Sequence, residues 1–490
     1  MSAPNLWADP PPEPRRSGGR ATTPRRRAAR APAPAPTPGP AAPRQRGRRR
    51  RPARPRRVVV DVLAGLAGLG LGITIALAVS AESSGSLQAA GGVATALGRL
   101  AGLVAAYAML VVVVLVARFP PLERAVGQDR LVGWHRRLGP WPLYLLTAHA
   151  VLITIGYAQA AHDGLLHQLG QLLWTYPGIL ASTAAFALLI AAGVTSYRKA
   201  RRRLAYETWW SVHLYTYLAL FLAFSHQVDT GASFVGHPAT RAWWTALWIG
   251  VLALVLGCRV GLPLWRSLRH RVTVVGIQHE GPGVFSVLLQ GRRLDRLPVA
   301  GGQFLQWRFL RPGLWWQAHP YSLSAVPTRR HLRITVKDLG DHSAGLAALR
   351  PGTRVAIEGP YGAFTADSAR GDGVLLVGAG VGSTPIRALL QDLPAGADIV
   401  AMLRASVPAD LVLRDEIAEH VARRGGQLHE LIGPRATVPL DAEALARLVP
   451  DVATRDVYVC GPDGFTEAFV VAARAAGVPS THIHHESFAF

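Results

Sequence analysis

Four histidines lie in apolar segments of this sequence at two nearly equal spacings. His135 and His149 are 14 positions apart, and His213 and His226 are 13 positions apart. Ionisable side chains inside a membrane are costly and usually functional, and an imidazole nitrogen is a suitable ligand for haem iron. Two segments that cross in the same direction would bring one histidine of each pair to each depth. The pattern therefore predicts axial ligands for two stacked haems.

The helical phase supports this prediction only in part. At about 1.5 Å per residue each pair spans roughly 20 Å, most of a hydrocarbon core of about 30 Å. Fourteen positions return to within roughly 40° of the starting direction, whereas 13 end about 140° away. The segment with His213 and His226 would need a tilt, kink or bulge. Four unrelated interior histidines are the alternative; zinc would need more ligands at one depth.

Half of the 490 residues are hydrophobic, which indicates a membrane protein. A span takes about 20 mostly apolar residues. The segments that carry the histidines are the least apolar of the candidates. The predicted spans are 58–80, 92–117, 135–160, 176–197, 207–228 and 243–265.

The charge distribution predicts the orientation of these spans. Residues 1–57 contain 16 Arg and only two acids, which supply +14 of the net charge of +23. This Pro/Ala-rich tail is predicted to be disordered. It precedes an apolar span, and alternate loops are also rich in Arg, so we expect both termini in the cytoplasm of a multi-pass plasma-membrane protein in contact with lipid. Nucleic-acid binding by the tail is the weaker alternative and is not expected.

The texture of the sequence changes after about residue 271. Short strand-like segments punctuated by Gly and Pro predict a small antiparallel β-barrel, and strand–turn–helix repeats from about 373 predict an α/β domain with a parallel sheet. The fold class is therefore an all-α six-helix transmembrane bundle followed by these two domains. The predicted domains are the tail 1–57, the membrane domain 58–268, the barrel 269–370 and the α/β domain 371–490.

Several turns in this second half could bind a nucleotide. Gly378, Gly380 and Gly382 separate a strand from a helix, which lets the backbone approach a pyrophosphate at the helix N-terminus. Arg404 and Ser406 end the next strand, where they suit the 2′-phosphate of NADP. A surface charge is the alternative for Arg404.

Two further segments suit a flavin. Residues 319–324 offer an imidazole, an aromatic ring and hydroxyls. Residues 340–346 form a turn into a helix with Ser343 near the N-cap, where a phosphate could bind. Ordinary turn chemistry remains the alternative for each segment alone.

Together, residues 58–490 resemble the ferric reductase and NADPH oxidase superfamily, particularly its bacterial members. The unequal histidine spacings also resemble those of the family. The matching motifs are His319-Pro320-Tyr321-Ser322, Gly340-Asp341 with Ser343, Gly359–Gly362, Gly378–Pro385, Cys460-Gly461-Pro462 and a C-terminal aromatic at Phe490, with Phe488 as the second choice.

The resemblance implies a path from NADPH (or NADH) through FAD and two haems b. The inner haem would use His135 and His213, and the outer haem His149 and His226. Tyr321, Ser322, Cys460 and Phe490 are the candidate catalytic residues. The candidate cofactor-binding residues are His319, Pro320, Tyr321, Ser322, Gly340, Ser343, Gly378, Gly380, Gly382, Ser383, Thr384, Arg404, Ser406, Cys460, Gly461 and Pro462.

The acceptor stays open at this level. Oxygen would give superoxide or peroxide, and a ferric chelate would give reduced iron. One alternative is an electron-supplying membrane subunit for an extracytoplasmic redox protein. The other is a haem-binding membrane receptor or transport component that is not an enzyme. Two cysteines, Cys258 and Cys460, are too few for a four-thiolate cluster.

Overall fold

The computed structural model describes residues 54–371 and 373–487. Most of the tail predicted to be disordered, and both Phe488 and Phe490, lie outside the described residues.

The first half of the described chain is helical. It contains twelve α-helices and one short π-helical turn among the described residues. These are α1 Arg54–Ser80, α2 Ser84–Gln88, α3 Gly92–Leu115, α4 Pro120–Val126, α5 Gln128–Leu138, α6 Pro140–Ala161, α7 Leu165–Thr175, α8 Ile179–Ser196, α9 Arg198–Arg201, α10 Tyr206–Thr230, α11 Pro238–Leu256, the π turn Gly257–Gly261 and α12 Leu262–His270.

Five helical segments are long and apolar enough to cross a membrane. The fifth predicted span, 207–228, lies within α10, which has 25 residues, carries Glu207, Asp229 and two histidines, and is not among these five. The count of six spans therefore stays a prediction. The five segments are Val58–Ser80, Gly92–Leu115, Arg130–Ala161, Ile179–Ser196 and Pro238–His270.

The third predicted span is divided between two helices near its N-terminal end. Helix α5 ends at Leu138 and α6 begins at Pro140, with Gly139 between them. Proline is favoured in the first turn of a helix, where its missing N–H would have no partner anyway. His135 therefore lies on α5 and His149 on α6, and Gly139 between them keeps helical backbone angles (φ −52°, ψ −37°).

Small residues allow close packing in the membrane half. Helix α3 packs against α6, and α10 packs against α8. A side chain at Gly156 of α6 would overlap Thr95 of α3, as expected where membrane helices approach through small residues. Ala219 of α10 is fully buried beside Met109 and Ala185. Helix α10 thus belongs to the same helical core.

The next segment consists of six antiparallel strands in two three-stranded sheets, with orders β1-β2-β5 and β4-β3-β6. Single bridges, Thr273 to Arg354 and Leu323 to Ile334, link the sheets at their edges. Side chains of both sheets share one core around Trp307. The elements are β1 Thr273–Gly281, β2 Val284–Gln290, β3 Phe304–Phe309, β4 His319–Ser322, β5 His331–Lys337, α13 Asp341–Ala347 and β6 Val355–Tyr361.

The remaining chain forms the predicted parallel sheet, with strand order β11-β10-β7-β8-β9. Separate apolar cores cover its two faces, which explains why β7, β8 and β10 are buried along their whole length. The elements are β7 Gly373–Ala379, α14 Ser383–Asp392, β8 Ile399–Ala405, α15 Arg414–Arg423, β9 Gln427–Ile432, α16 Ala442–Leu448, β10 Arg455–Gly461, α17 Asp463–Ala475 and β11 Ile483–Ser487.

Candidate functional site

The first histidines of the two pairs, His135 and His213, face each other. The ring centroids of His135 and His213 are 6.0 Å apart, with 73° between the ring planes. Imidazole nitrogens bind metals at about 2 Å, so two rings about 6 Å apart leave room for one metal between them. His135 Nδ1 lies 3.1 Å from the Val112 carbonyl oxygen. A carbonyl only accepts, so Nδ1–H donates and Nε2 keeps its lone pair for a metal.

The second pair is held in the same way. His149 Nδ1–H donates to the Gly98 carbonyl at 2.8 Å. His226 Nδ1 lies 3.0 Å from Thr230 Oγ1, whose hydroxyl donates to the His226 carbonyl at 2.6 Å. His149 and His226 are within electrostatic range of each other. Each ring therefore has Nδ1 engaged, an arrangement typical of metal-ligating histidines.

Helix α3 supplies the partners of both histidines on α5 and α6. The accepting carbonyls, of Val112 and Gly98, are 14 residues apart, the same spacing as the two histidines. A Cβ at Gly102 of α3 would lie 2.6 Å from His149 Nδ1, so only glycine leaves room for this ring. Sequence reasoning missed α3, since a main-chain acceptor has no side-chain signature.

His213 has a different environment. Its ring stacks on Trp209, with centroids 5.3 Å apart, and its Nδ1 lies 3.5 Å from Ser196 Oγ. The indole N–H of Trp209 donates to the same hydroxyl. Within 54–371 and 373–487, no group of three or more His, Cys, Asp or Glu could hold a metal ion.

The expected flavin residues lie on β4. The rings of His319 and Tyr321 stack with centroids 6.0 Å apart. Burial raises the pKa of the Tyr321 hydroxyl to about 12, and the indole N–H of Trp307 donates to the Tyr321 carbonyl at 2.9 Å. Ser322, which ends β4, is buried. The structure therefore brings the aromatic part of the predicted motif together on one strand, with Pro320 between the two rings.

The predicted phosphate turn differs in detail from the expectation. The N-cap of α13 is Gly340, at φ 142°. Ser343 lies three residues further on, where its hydroxyl donates to Asp338 at 3.0 Å and accepts the Leu339 N–H at 2.8 Å. Ser343 thus fastens the turn onto its own preceding residues.

Two predicted motifs converge at one end of the parallel sheet. The strand register aligns Cys460 with Gly378 on one side and with Glu486 on the other. A side chain at Gly382 would overlap the Cys460 carbonyl, and one at Gly461 would lie 2.9 Å from the Ala379 side chain. The glycine turn and the Cys460–Pro462 motif therefore pack directly against each other.

Two polar groups at this edge point to a ligand. The Thr384 hydroxyl at the start of α14 is buried, and no described residue hydrogen-bonds to it. Such a group needs a partner, and it lies at the predicted pyrophosphate turn. The Cys460 thiol is fully buried, which raises its pKa well above the ordinary value, with a smaller contribution from Glu486. Sequence reasoning missed Glu486, because only the β10–β11 register brings it beside Cys460.

Arg404 is buried, which argues against a surface charge as the alternative to phosphate binding. Its side chain is buried, and Nη1 donates to the Leu431 carbonyl at 2.7 Å and to the Ala405 carbonyl at 3.3 Å. It therefore links β8 to β9. Ser406 is exposed just beyond the end of β8, and Arg435 is a second cation close to Arg404.

Comparison with known families agrees with this architecture. Residues 101–224 match the ferric reductase like transmembrane component, and residues 285–365 match an FAD-binding domain. The first match runs from within α3 into α10 and includes His135, His149 and His213, whereas His226 lies two residues beyond its end; the second covers β2 to β6. The chain therefore combines a segment like a ferric reductase transmembrane component with a segment like an FAD-binding domain. It matches the ferric reductase and NADPH oxidase superfamily, with a ferredoxin-reductase-like module after the membrane component.

Individual relatives match the soluble half. The chain is 28% identical over 241 residues to an NADPH oxidoreductase of Mycobacterium tuberculosis, covering 46% of this chain and 62% of that protein. It is 32% identical over 201 residues to the ferredoxin reductase component of 3-ketosteroid-9-alpha-monooxygenase of Mycolicibacterium smegmatis, covering 40% and 57%. The FAD/NAD-binding domain of nitric oxide dioxygenase from Vibrio cholerae is 26% identical, covering 44% and 98%, with a TM-score of 0.38. The chain thus spans about three-fifths of the two curated relatives.

Proposed function

We propose that the protein carries electrons from cytoplasmic NADPH or NADH, through FAD and two haems b, to an acceptor on the outer side of the plasma membrane. The acceptor is oxygen or a ferric chelate. The balance is one NADPH and two one-electron acceptors consumed, with NADP⁺, one proton and two reduced acceptors formed. The proton is released on the cytoplasmic side.

The observation that carries the proposal is the common arrangement of His135, His149 and His226. Each engages Nδ1 with an oxygen of the protein, which favours presentation of Nε2 to a metal. His213 completes the inner pair at a 6.0 Å ring separation. A structural histidine in a core would need only one partner and no facing imidazole.

The cofactors supply hydride acceptance, separation of the electron pair into single electrons, and conduction across the apolar layer. The protein's residues bind and orient. Tyr321 and His319 offer a stacked aromatic surface to the flavin. The turn Gly378–Thr384 offers main-chain N–H groups and the Thr384 hydroxyl to the dinucleotide. Cys460 and Glu486 stand beside that turn through the strand register.

The orientation follows from charge. Within residues 58–270, most of the arginines lie at one end of the helices, which supports a cytoplasmic location for that end and for the flavin module. The opposite end would then face the acceptor. NADPH supplied inside sealed vesicles with inward-facing reductase domains should therefore reduce an impermeant ferric chelate outside.

The decisive experiment is anaerobic addition of NADPH to the purified full-length protein with FAD and haem bound. Reduction of both haems, seen as sharpened haem absorption bands, is the expected result. Oxygen or ferric citrate is then admitted, and the one that reoxidises the protein, with superoxide detection, identifies the acceptor. Flavin that is reduced while the haems stay oxidised would exclude this function and favour a haem-binding receptor or transport component.

A further inference from the structure

A charged contact joins the end of α3 to the last strand of the antiparallel domain. Arg118 follows α3 and adopts φ 61°, in the left-handed region. Its Nη1 lies 2.9 Å from Glu358 Oε1, and its Cζ lies 4.4 Å from the ring centroid of Tyr361. The Tyr361 hydroxyl donates to the same Glu358 oxygen at 2.8 Å. One carboxylate thus receives a guanidinium from the membrane half and a phenol from the turn Gly359–Gly362.

Neighbouring contacts hold the same strand. The Ile357 N–H of β6 donates to Ser267 Oγ of α12 at 3.1 Å. Arg259, in the π turn Gly257–Gly261, donates twice to the Val116 carbonyl near the end of α3, at 3.1 and 2.6 Å. π-Helical turns are frequent at functional sites. These contacts therefore connect the π turn to the end of α3, and α12 to β6.

The ion pair between Arg118 and Glu358 is more buried than an ordinary charge at a membrane surface. The side chains of Arg118 and Glu358 are 15% and 21% exposed, and Tyr361 is 4% exposed. A positive-inside arginine that only sets topology would face lipid head groups or water. Arg118 instead lies over a buried aromatic ring and beside a carboxylate, which combines cation–π and ionic attraction in a desolvated position. Removing either partner leaves a buried charge without compensation.

We propose that Arg118 and Glu358 are positioning residues that fix the flavin-binding domain against the cytoplasmic ends of the transmembrane helices, and so set the rate of electron transfer from flavin to the inner haem. This inference rests on the function proposed above. Transfer between two bound groups slows steeply as they separate, so a loosened joint between their domains lowers this step. Hydride transfer from NADPH to flavin lies within the soluble half and does not depend on the joint.

The test compares two phases in the full-length holoprotein. Each variant protein is mixed anaerobically with NADPH, and flavin bleaching and haem reduction are followed separately. The variants are Arg118→Gln, Glu358→Gln and the milder Tyr361→Phe. We expect unchanged flavin bleaching in all three, and haem reduction slowed at least about tenfold in the two charge variants. The double variant Arg118→Gln/Glu358→Gln should be no slower than either single variant, because both remove one interaction.

The matched control removes an ion pair with the same nitrogen–oxygen distance in the α/β domain. Asp398 Oδ2 lies 2.9 Å from Arg455 Nη2 within the α/β domain, and Asp398→Asn should leave both phases unchanged. An independent readout is hydrogen exchange of residues 355–361, which should increase in Arg118→Gln but not in Asp398→Asn.

The outcomes are distinguishable. Wild-type haems that NADPH does not reduce would reject the proposed function itself, and the positioning role with it. A normal wild type with unchanged haem reduction or unchanged exchange in Arg118→Gln would reject only the positioning role. Equal slowing of flavin bleaching and haem reduction would also reject it, since the damage would then be general.

Discussion

The imidazole rings of His135 and His213 face each other across 6.0 Å, although 78 residues separate them in the chain. His135 is fixed by the Val112 carbonyl and His213 by stacking on Trp209. Different elements thus hold the two rings, and the gap between them is set by helix packing. This gap matches the room that a metal with two axial imidazoles requires.

His149→Leu should remove one haem and leave the other. The inner pair does not include His149, so NADPH should still reduce the flavin and the inner haem, while delivery to the outer acceptor is lost. Haem content per flavin, by absorbance, should fall by about half. His167→Leu, on α7, is the control and should retain both haems. Normal acceptor reduction in His149→Leu would exclude this residue as a ligand.

Gly102→Ala tests whether α3 shapes the outer site. The added Cβ would lie 2.6 Å from His149 Nδ1, so the ring must move away from the Gly98 carbonyl that orients it. We expect weakened or lost outer haem, measured by the haem-to-protein ratio and by a shifted midpoint potential. Gly68→Ala on α1, where a Cβ meets nothing within 4 Å, should have no effect. Full haem content and an unchanged potential in Gly102→Ala would contradict the assignment.

Gly382→Ala should separate NADPH docking from flavin binding. The new side chain would overlap the Cys460 carbonyl and push the turn away from β10. FAD content should stay normal, because its predicted site is on the antiparallel domain. Flavin reduction by NADPH should slow by about 100-fold or more, whereas dithionite should still reduce the flavin.

Gly396→Ala, which meets nothing within 4 Å, controls for loss of a glycine in the same domain. Unaltered NADPH kinetics in Gly382→Ala would show that the turn does not contact the dinucleotide.

Glu123→Gln should change the pH dependence of stability. Burial raises the pKa of Glu123 from 4.5 to about 7; Glu358 adds to the rise, and Arg118, Arg259 and Arg266 oppose it. The folded protein therefore binds this proton more tightly than the unfolded chain. The stabilisation of the folded state by this proton is complete below about pH 4.5 and is lost as pH rises through about 7. The free energy of unfolding changes by about 3 kcal/mol over this range.

The glutamine variant has no charge to bury. Its thermal unfolding midpoint should exceed that of wild type at pH 8 and lie close to it at pH 5. Glu443→Gln changes an exposed side chain of α16, so its midpoint should stay close to that of wild type at both pH 5 and pH 8. A Glu123→Gln midpoint that tracks wild type at every pH would show that Glu123 is not buried as a neutral acid.

Much of the fold could be predicted from local patterns. Apolar segments of span length, the Arg-rich loops and the switch to strand and turn segments each reflect short-range chemistry. The strand–turn–helix repeats predicted the parallel sheet, because consecutive parallel strands need a crossover connection, which is usually a helix. Gly378 and Gly380 also have local causes, because a Cβ at Gly378 would lie 3.0 Å from Ser383 and Gly380 adopts φ 55°.

Pairwise contacts could not be predicted in this way. The sequence by itself determined that four histidines occur as two spaced pairs, but only helix packing decided that α3 carbonyls 14 residues apart would orient two of them. Likewise, Glu486 reaches Cys460 through strand register, and Arg118 reaches Glu358 across 240 residues. Local residue chemistry specifies elements and ligand types, whereas the distances between groups far apart in the chain depend on packing, which no single segment encodes.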